Sequence, residues 1–116
     1  MKYMLLFVDL VDWGQVPEAE SRAMFEKVGR WWGEHSQARR IESGAQLQPA
    51  RTASTVKFNH GKPVVTDGPF LEAKETIGGF AIVNVPDLDS ALALAKSWPA
   101  QGKVEVRPLV EQEARV

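Results

Sequence analysis

The chain has 116 residues, of which 44% are hydrophobic and 25% are charged, and its formal net charge is −1. This length suits one domain, spanning residues 1–116, and is too short for two. A nearly neutral chain has no overall field that attracts nucleic acid or an anionic membrane, so neither is expected as a partner. Without cysteine, the chain has no disulfide, thiolate nucleophile or cysteine-ligated metal, and a cytoplasmic location is expected.

The first half of the chain predicts a strand, a helix and a second, irregular strand. Residues 2–8 are apolar at both parities, which indicates a strand covered on both faces. Pro17 and the acidic residues after it open a helix whose apolar side chains recur every three or four positions, and which ends near Arg39 or Arg40. Residues 41–49 are an irregular strand or a loop, broken at Ser43-Gly44.

The second half predicts a hairpin, a central strand, a helix and a last strand. Residues 52–58 and 63–66 form the hairpin, and Asp-Gly-Pro at 67–69 makes the next turn. Residues 77–85 have the composition of a central strand, and Asp87 is the N-cap of a helix that Pro99 ends. Residues 103–109 are the last strand.

The element order is β-α-β-β-α-β with an extra hairpin arm in the middle. This order predicts the α+β, ferredoxin-like split β-α-β fold, in which one antiparallel sheet carries two helices on one face. Because two strands are apolar at both parities, the other sheet face needs a cover as well. A second copy of the chain would supply it, so a homodimer is expected. The sequence does not decide which parity faces the helices.

Only two histidines are present, His35 and His60. His35 falls near the centre of the first helix's apolar arc. This position fits either a general base that reaches a pocket or a buried core residue. His60 lies in the hairpin turn, where exposure is the ordinary expectation. The two are not at metal-ligand spacing and no cofactor motif is present, so neither a metal nor a cofactor is expected.

Charged residues in the Asp-Gly-Pro turn at 67–69 and on the last strand are the other candidate site residues. Asp67 is held beside Gly68 and can act as an acid or base, or accept hydrogen bonds from its own turn. Glu105 and Arg107 share one parity of the last strand, where they form an ion pair or bind an anionic ligand through the guanidinium.

The segment from Asp67 to Phe80 resembles the signature of a known family. Asp67-Gly68-Pro69-Phe70, then Glu72-Ala73-Lys74-Glu75 and Gly78-Gly79-Phe80, are similar to the DGPF signature of the YCII-related proteins. Matching pieces flank this signature from the first strand to the last, so the likeness covers nearly the whole chain. They are Met1 to Leu6, Leu47-Gln48-Pro49, Asp87-Leu88-Asp89 and Val104 to Pro108.

The resemblance implies a dimeric α+β barrel. Asp67 matches the motif aspartate. Phe70, Glu72, Lys74 and Glu75 of the same segment are candidate ligand contacts, and Glu72, Lys74 and Glu75 alternatively form a solvated charged loop. Related proteins of the YciI type are proposed to use a His–Asp dyad, but the motif itself contains no histidine, so nothing transfers that role to His35. Some members occur beside extracytoplasmic-function sigma factors, which makes a sigma factor a candidate partner.

Two functions follow as hypotheses. The first is a cofactor-independent enzyme that moves a proton on a small organic molecule, with Asp67 as acid or base, His35 as its partner and Arg107 as an anion clamp. The second is a non-catalytic module that binds a small ligand in a stress or sigma-factor response. The substrate is not specified by these residues.

Overall fold

The computed structural model describes residues 1–9, 15–68 and 76–111. Within these residues six strands and two α-helices follow one another, and a 3-10 turn, Ala50–Thr52, precedes the third strand. In chain order they are β1 (Lys2–Asp9), α1 (Glu18–Gln37), β2 (Ile41–Gln46), β3 (Ser54–Asn59), β4 (Lys62–Asp67), β5 (Thr76–Asn84), α2 (Leu88–Lys96) and β6 (Lys103–Pro108).

Four of the strands form an antiparallel sheet in the order β2-β5-β1-β6, and β3 and β4 form a separate two-stranded hairpin. This is the order that a ferredoxin-like β-α-β-β-α-β chain adopts, so the predicted α+β fold is confirmed. The sheet is open and does not close into a barrel within one chain. Association of two chains into a dimeric barrel stays a prediction.

The helices cover the sheet face that carries Tyr3, Leu5 and Phe7. These side chains, 0–3% exposed, pack with Trp31 of α1 and with buried residues of β5 and α2. Even-numbered β1 residues point to the opposite face. The Cα atoms span only 19 Å along the shortest axis, which is the thickness of one helix layer on one sheet. The odd-numbered residues of β1 therefore face the helices, which the sequence alone does not decide.

Local features predicted from the sequence define the element ends. The Asp87 side chain accepts a hydrogen bond of 2.8 Å from the Ser90 backbone N–H, and so caps α2. Gly68 has a φ of +96°, as its predicted turn requires. The segment predicted as irregular forms β2, with a register shift between Ile41 and Ser43.

Neither helix among the described residues has the length and hydropathy needed to cross a membrane.

Candidate functional site

A cleft of about 480 Å³ lies between α1 and the sheet, next to the packed core. Helix α1 forms one wall, strands β1, β2 and β5 form the floor, and the segment after α2 closes one side. The side chains and backbone that line it come from Phe7, Asp9, Met24, Phe25, Val28, Gly29, Trp32, Gly44, Ala45, Gln46, Gly78, Gly79, Trp98 and Ala100. A cleft of this volume suits a small organic molecule.

Three glycines make the floor of the cleft. A Cβ atom on Gly44 would be 2.5 Å from Cη2 of Trp32, and one on Gly79 would be 2.9 Å from the Ala45 carbonyl oxygen. At Gly78 a Cβ atom would fall on the Asp9 carboxylate, 2.8 Å from its Cγ. Gly44 thus lets Trp32 of α1 approach β2, and Gly78 lets the Asp9 carboxylate approach β5. Gly79 lets the backbone of β2 approach β5.

Asp9 is placed in the cleft by the geometry of β1. Phe7 pairs with Gly79 and Val8 with Ile77, so Gly78 has no partner on β1 and forms a β-bulge. Asp9 keeps the parity of Tyr3 and Phe7 and therefore points to the helix side of the sheet. The result is a carboxylate beside the bulged glycine, at the edge of an apolar cleft.

Aromatic rings form the inner wall. Phe7 stacks on Trp98 with ring centroids 3.9 Å apart and an interplanar angle of 21°. Trp32 meets Phe7 edge to face at 6.2 Å, and Trp31 lies behind both tryptophans at 5.0 and 5.6 Å. The indole N–H of Trp31 donates a 2.8 Å hydrogen bond to the Ser97 hydroxyl. These interlocked rings hold the wall in one arrangement.

His35 lies in the last turn of α1 and is 8% exposed. Its ring contacts that of Trp31 at 4.9 Å, and its Nδ1 is 3.0 Å from Nη1 of Arg40. A guanidinium only donates hydrogen bonds, so this Nδ1 accepts and carries no proton. Burial lowers the pKa of His35 below its ordinary value; the Glu34 carboxylate opposes this shift and the Arg40 guanidinium adds to it. Burial and the Arg40 contact thus both favour the neutral form of His35 at the packed end of α1.

Asp67 is the exposed last residue of β4 and pairs with Ser54 in the hairpin. Among the residues that the structure describes, no hydrogen bond or ion pair joins it to His35. Glu105 and Arg107 lie together on the helix-free sheet face, opposite Leu6 and Met4 in the register. Their side chains form an exposed ion pair of 2.6 Å.

None of these four residues lines the cleft. Their predicted roles at the site stay predictions. The candidate ligand contacts Phe70, Glu72, Lys74 and Glu75 lie outside the described residues. Within the described ranges, no group of three or more histidine, aspartate or glutamate side chains could hold a metal ion.

Sequence reasoning missed Asp9, although one signal pointed to it. The strand predicted over residues 2–8 stops one residue before Asp9. Continuing the odd parity of Tyr3, Leu5 and Phe7 by one step brings Asp9 to the same face. An ionisable side chain on the apolar parity of a strand is the pattern to look for.

The sequence of this chain is similar to that of known proteins. A family profile described as the YCII-related domain matches residues 1–113. An uncharacterised protein from Rhizobium meliloti (strain 1021) is 38% identical over an alignment of 82 residues, and the match covers 63% of this chain and 66% of that relative. The matched segment thus spans just under two thirds of the relative's length. With nearly its whole length matched by the profile, the chain belongs to the YCII-related domain family.

Proposed function

We propose that this protein binds a small, mainly apolar organic molecule in the cleft under α1 and moves a proton on it with the Asp9 carboxylate. The observation that carries this proposal is the position of Asp9 at an apolar, aromatic-lined cleft. An ionised carboxylate accepts hydrogen bonds only, and it is a competent general base when a bound carbon or oxygen acid lies within hydrogen-bond reach.

A single carboxylate is sufficient for one class of reaction. It takes a proton from one atom of the bound molecule and returns it to another atom of the same molecule, so the product is an isomer. Atoms and charge balance without a co-reactant or a cofactor. The rings of Phe7, Trp32 and Trp98 cover one side of a molecule bound in the cleft, and such an apolar wall strengthens electrostatic interactions at the carboxylate.

The cleft also supports the second hypothesis, a module that binds a small ligand without turnover. Volume and apolar lining are common to both functions. The two differ only in whether Asp9 moves a proton or anchors the ligand. Substituting the carboxylate by its uncharged isostere separates these roles.

Deuterium exchange at the α-carbons of 2-indanone, an enolisable aromatic ketone, tests the proposal. In D₂O the wild-type protein is expected to accelerate exchange measured by NMR, and Asp9→Asn is expected to lower that acceleration by about 10²-fold or more. Asp67→Asn is the matched control, because Asp67 is an exposed carboxylate outside the cleft.

Two outcomes would contradict proton transfer by Asp9. Exchange at the wild-type rate in Asp9→Asn would show that another group is the base. Binding of 2-indanone to the wild-type protein without accelerated exchange would favour the non-catalytic module.

We also propose that two copies associate through the helix-free face of the sheet. Met4, Leu6, Phe80 and Ile82 lie on this face, in two adjacent cross-strand pairs, and are only half-buried. Burying such an apolar surface against its own copy is favourable and gives a closed, isologous pair.

A further inference from the structure

The hairpin of β3 and β4 is amphipathic. Directly opposite residues of an antiparallel pair lie on the same face, and successive residues of a strand alternate between the two faces. The pairs Val56–Val65 and Phe58–Pro63 therefore put four apolar side chains on one face, next to the polar pair Ser54–Asp67 at the base. The opposite face carries Val64 among five polar residues, Thr55, Lys57, Asn59, Lys62 and Thr66.

The chain itself leaves the apolar face of the hairpin uncovered. Phe58 is 76% exposed, Val65 is 66% exposed and Val56 is 49% exposed. A two-stranded hairpin that packs on nothing is only marginally stable in water. A contiguous group of exposed apolar side chains on a soluble protein is typical of a surface that contacts another molecule.

The hairpin is nevertheless built as an ordered arm. His60 and Gly61 have φ angles of 52° and 82°, the positive values that a two-residue type I′ turn requires. At the base, the Thr55 hydroxyl donates a 2.6 Å hydrogen bond to the Gly68 carbonyl oxygen, and the Gly68 N–H donates one of 2.7 Å to the Ala53 carbonyl oxygen. The apolar face is thus presented in a defined geometry before any partner binds.

The helix-free face of the sheet is small for an interface between two copies. It spans four strands of at least six residues, which at about 4.8 Å between strands and about 3.3 Å per residue make a plane of about 400 Å². A specific protein interface buries about 800 Å² of each partner. The hairpin has two strands of six residues, so its apolar face enlarges the available plane by about half.

The hairpin also lies where it can extend that interface. The Cα atoms span 49 × 44 × 19 Å, and a further layer stacked on either side of the sheet and its helices would add about 10 Å to the shortest dimension. The hairpin therefore lies beside the four-stranded sheet and covers neither of its faces. A second copy seated on the helix-free face has this arm at its side.

We propose that the apolar face of the hairpin packs on the second copy, so that the arm of each chain holds its partner at the rim of the sheet-to-sheet interface. This inference rests on the proposed association of two copies and adds a second contact surface to it. Phe58 is the anchor, because large aromatic side chains dominate the binding energy of interfaces. Two-fold symmetry gives each dimer two such contacts.

Phe58→Glu tests the inference, with Lys57→Glu as its matched control. The two variants carry the same new side chain at adjacent positions on opposite hairpin faces. In a dilution series followed by sedimentation velocity, the dimer dissociation constant is expected to rise at least tenfold in Phe58→Glu. In Lys57→Glu it is expected to stay within about threefold of the wild-type value. Circular dichroism checks that both variants are folded.

Photo-cross-linking tests the contact without weakening it. With p-benzoylphenylalanine in place of Phe58, irradiation of the purified protein is expected to give a covalent dimer. The same group in place of Lys57 is expected to give none, because that side chain points away from the apolar face.

The outcomes distinguish this inference from the proposed association. A wild-type dissociation constant in Phe58→Glu would overturn the hairpin contact and assign its apolar face to an occupant other than a second copy, while the sheet interface stands. Equal weakening by Phe58→Glu and Lys57→Glu, or equal cross-linking from both positions, would also overturn it. A monomeric wild type would overturn both proposals.

Discussion

Replacing Gly44 by alanine is expected to destabilise the fold by about 1–3 kcal/mol, the usual cost of adding a methyl group to a tightly packed site. The new Cβ atom would be 2.5 Å from Cη2 of Trp32 and 3.0 Å from the Cα of Ala81, and it would overlap the Phe80 carbonyl oxygen. Carbon atoms in favourable contact are 3.5–4.0 Å apart, so β2 or the indole must move by about 1 Å.

The displacement falls on β2. Phe80 and Ala81 belong to β5, which is paired on both sides, whereas β2 is an edge strand. Moving β2 outward weakens its ladder, including the 2.8 Å hydrogen bond from the Leu47 N–H to the Gly78 carbonyl oxygen. The other route, rotation of Trp32, disrupts the aromatic wall of the cleft.

Urea unfolding followed by circular dichroism measures the effect, with Gly33→Ala as the control. Gly33 lies inside α1, and among the described residues nothing beyond its own helix backbone and chain neighbours lies within 4 Å of a Cβ placed there. Alanine at Gly33 is therefore expected to raise the free energy of unfolding by about 0.5–1 kcal/mol. Equal stabilities of Gly44→Ala and wild type, or shifts of the same sign in both variants, would refute the reasoning.

Three further predictions concern pH, association and the hairpin turn. Because the folded state lowers the pKa of His35, the unfolded chain takes up the proton first as pH falls below about 6.5. In urea titrations stability is expected to fall as pH decreases from about 6.5 towards the lowered pKa of His35. His35→Gln should reduce this slope, and an unchanged slope would contradict the prediction. Leu6→Glu is expected to give monomers by light scattering at micromolar concentration, while Lys57→Glu on the hairpin keeps the dimer; a monomeric wild type would exclude the proposed interface. Gly68→Val is expected to cost about 1–3 kcal/mol because the φ of +96° is strained for a β-branched residue, and an unchanged melting temperature would show that the turn accepts ordinary dihedrals.

The fold could be predicted because its signals are local. The apolar spacing on α1, the Asp87 cap and the alternation at 104–107 each depend on residues a few positions apart. Their order then leaves few arrangements of the sheet. Both helices and all six strands lie close to their predicted positions.

The cleft could not be predicted in the same way, because it depends on residues far apart in the sequence. Gly44, Gly78 and Gly79 meet under α1 only through the register of β2 and β5, and that register contains a bulge and a shift. His35 illustrates the limit of a helical wheel. Its angle agrees with the apolar arc, but its position along the helix puts it beside Trp31 and Arg40 rather than in the cleft.

The central place of β1 has a consequence for how the protein is made. β1 ends at Asp9, but both of its neighbours come late in the chain: β5 begins at Thr76 and β6 at Lys103. At translation rates of 5–20 residues per second, about 4–15 s pass before β5 is complete. During this time the apolar side chains of β1 have no strand to pair with, whereas α1 forms from its own local contacts. Sheet assembly is therefore a late step that closes long loops, and slow folding with a need for protection of the nascent strand is expected.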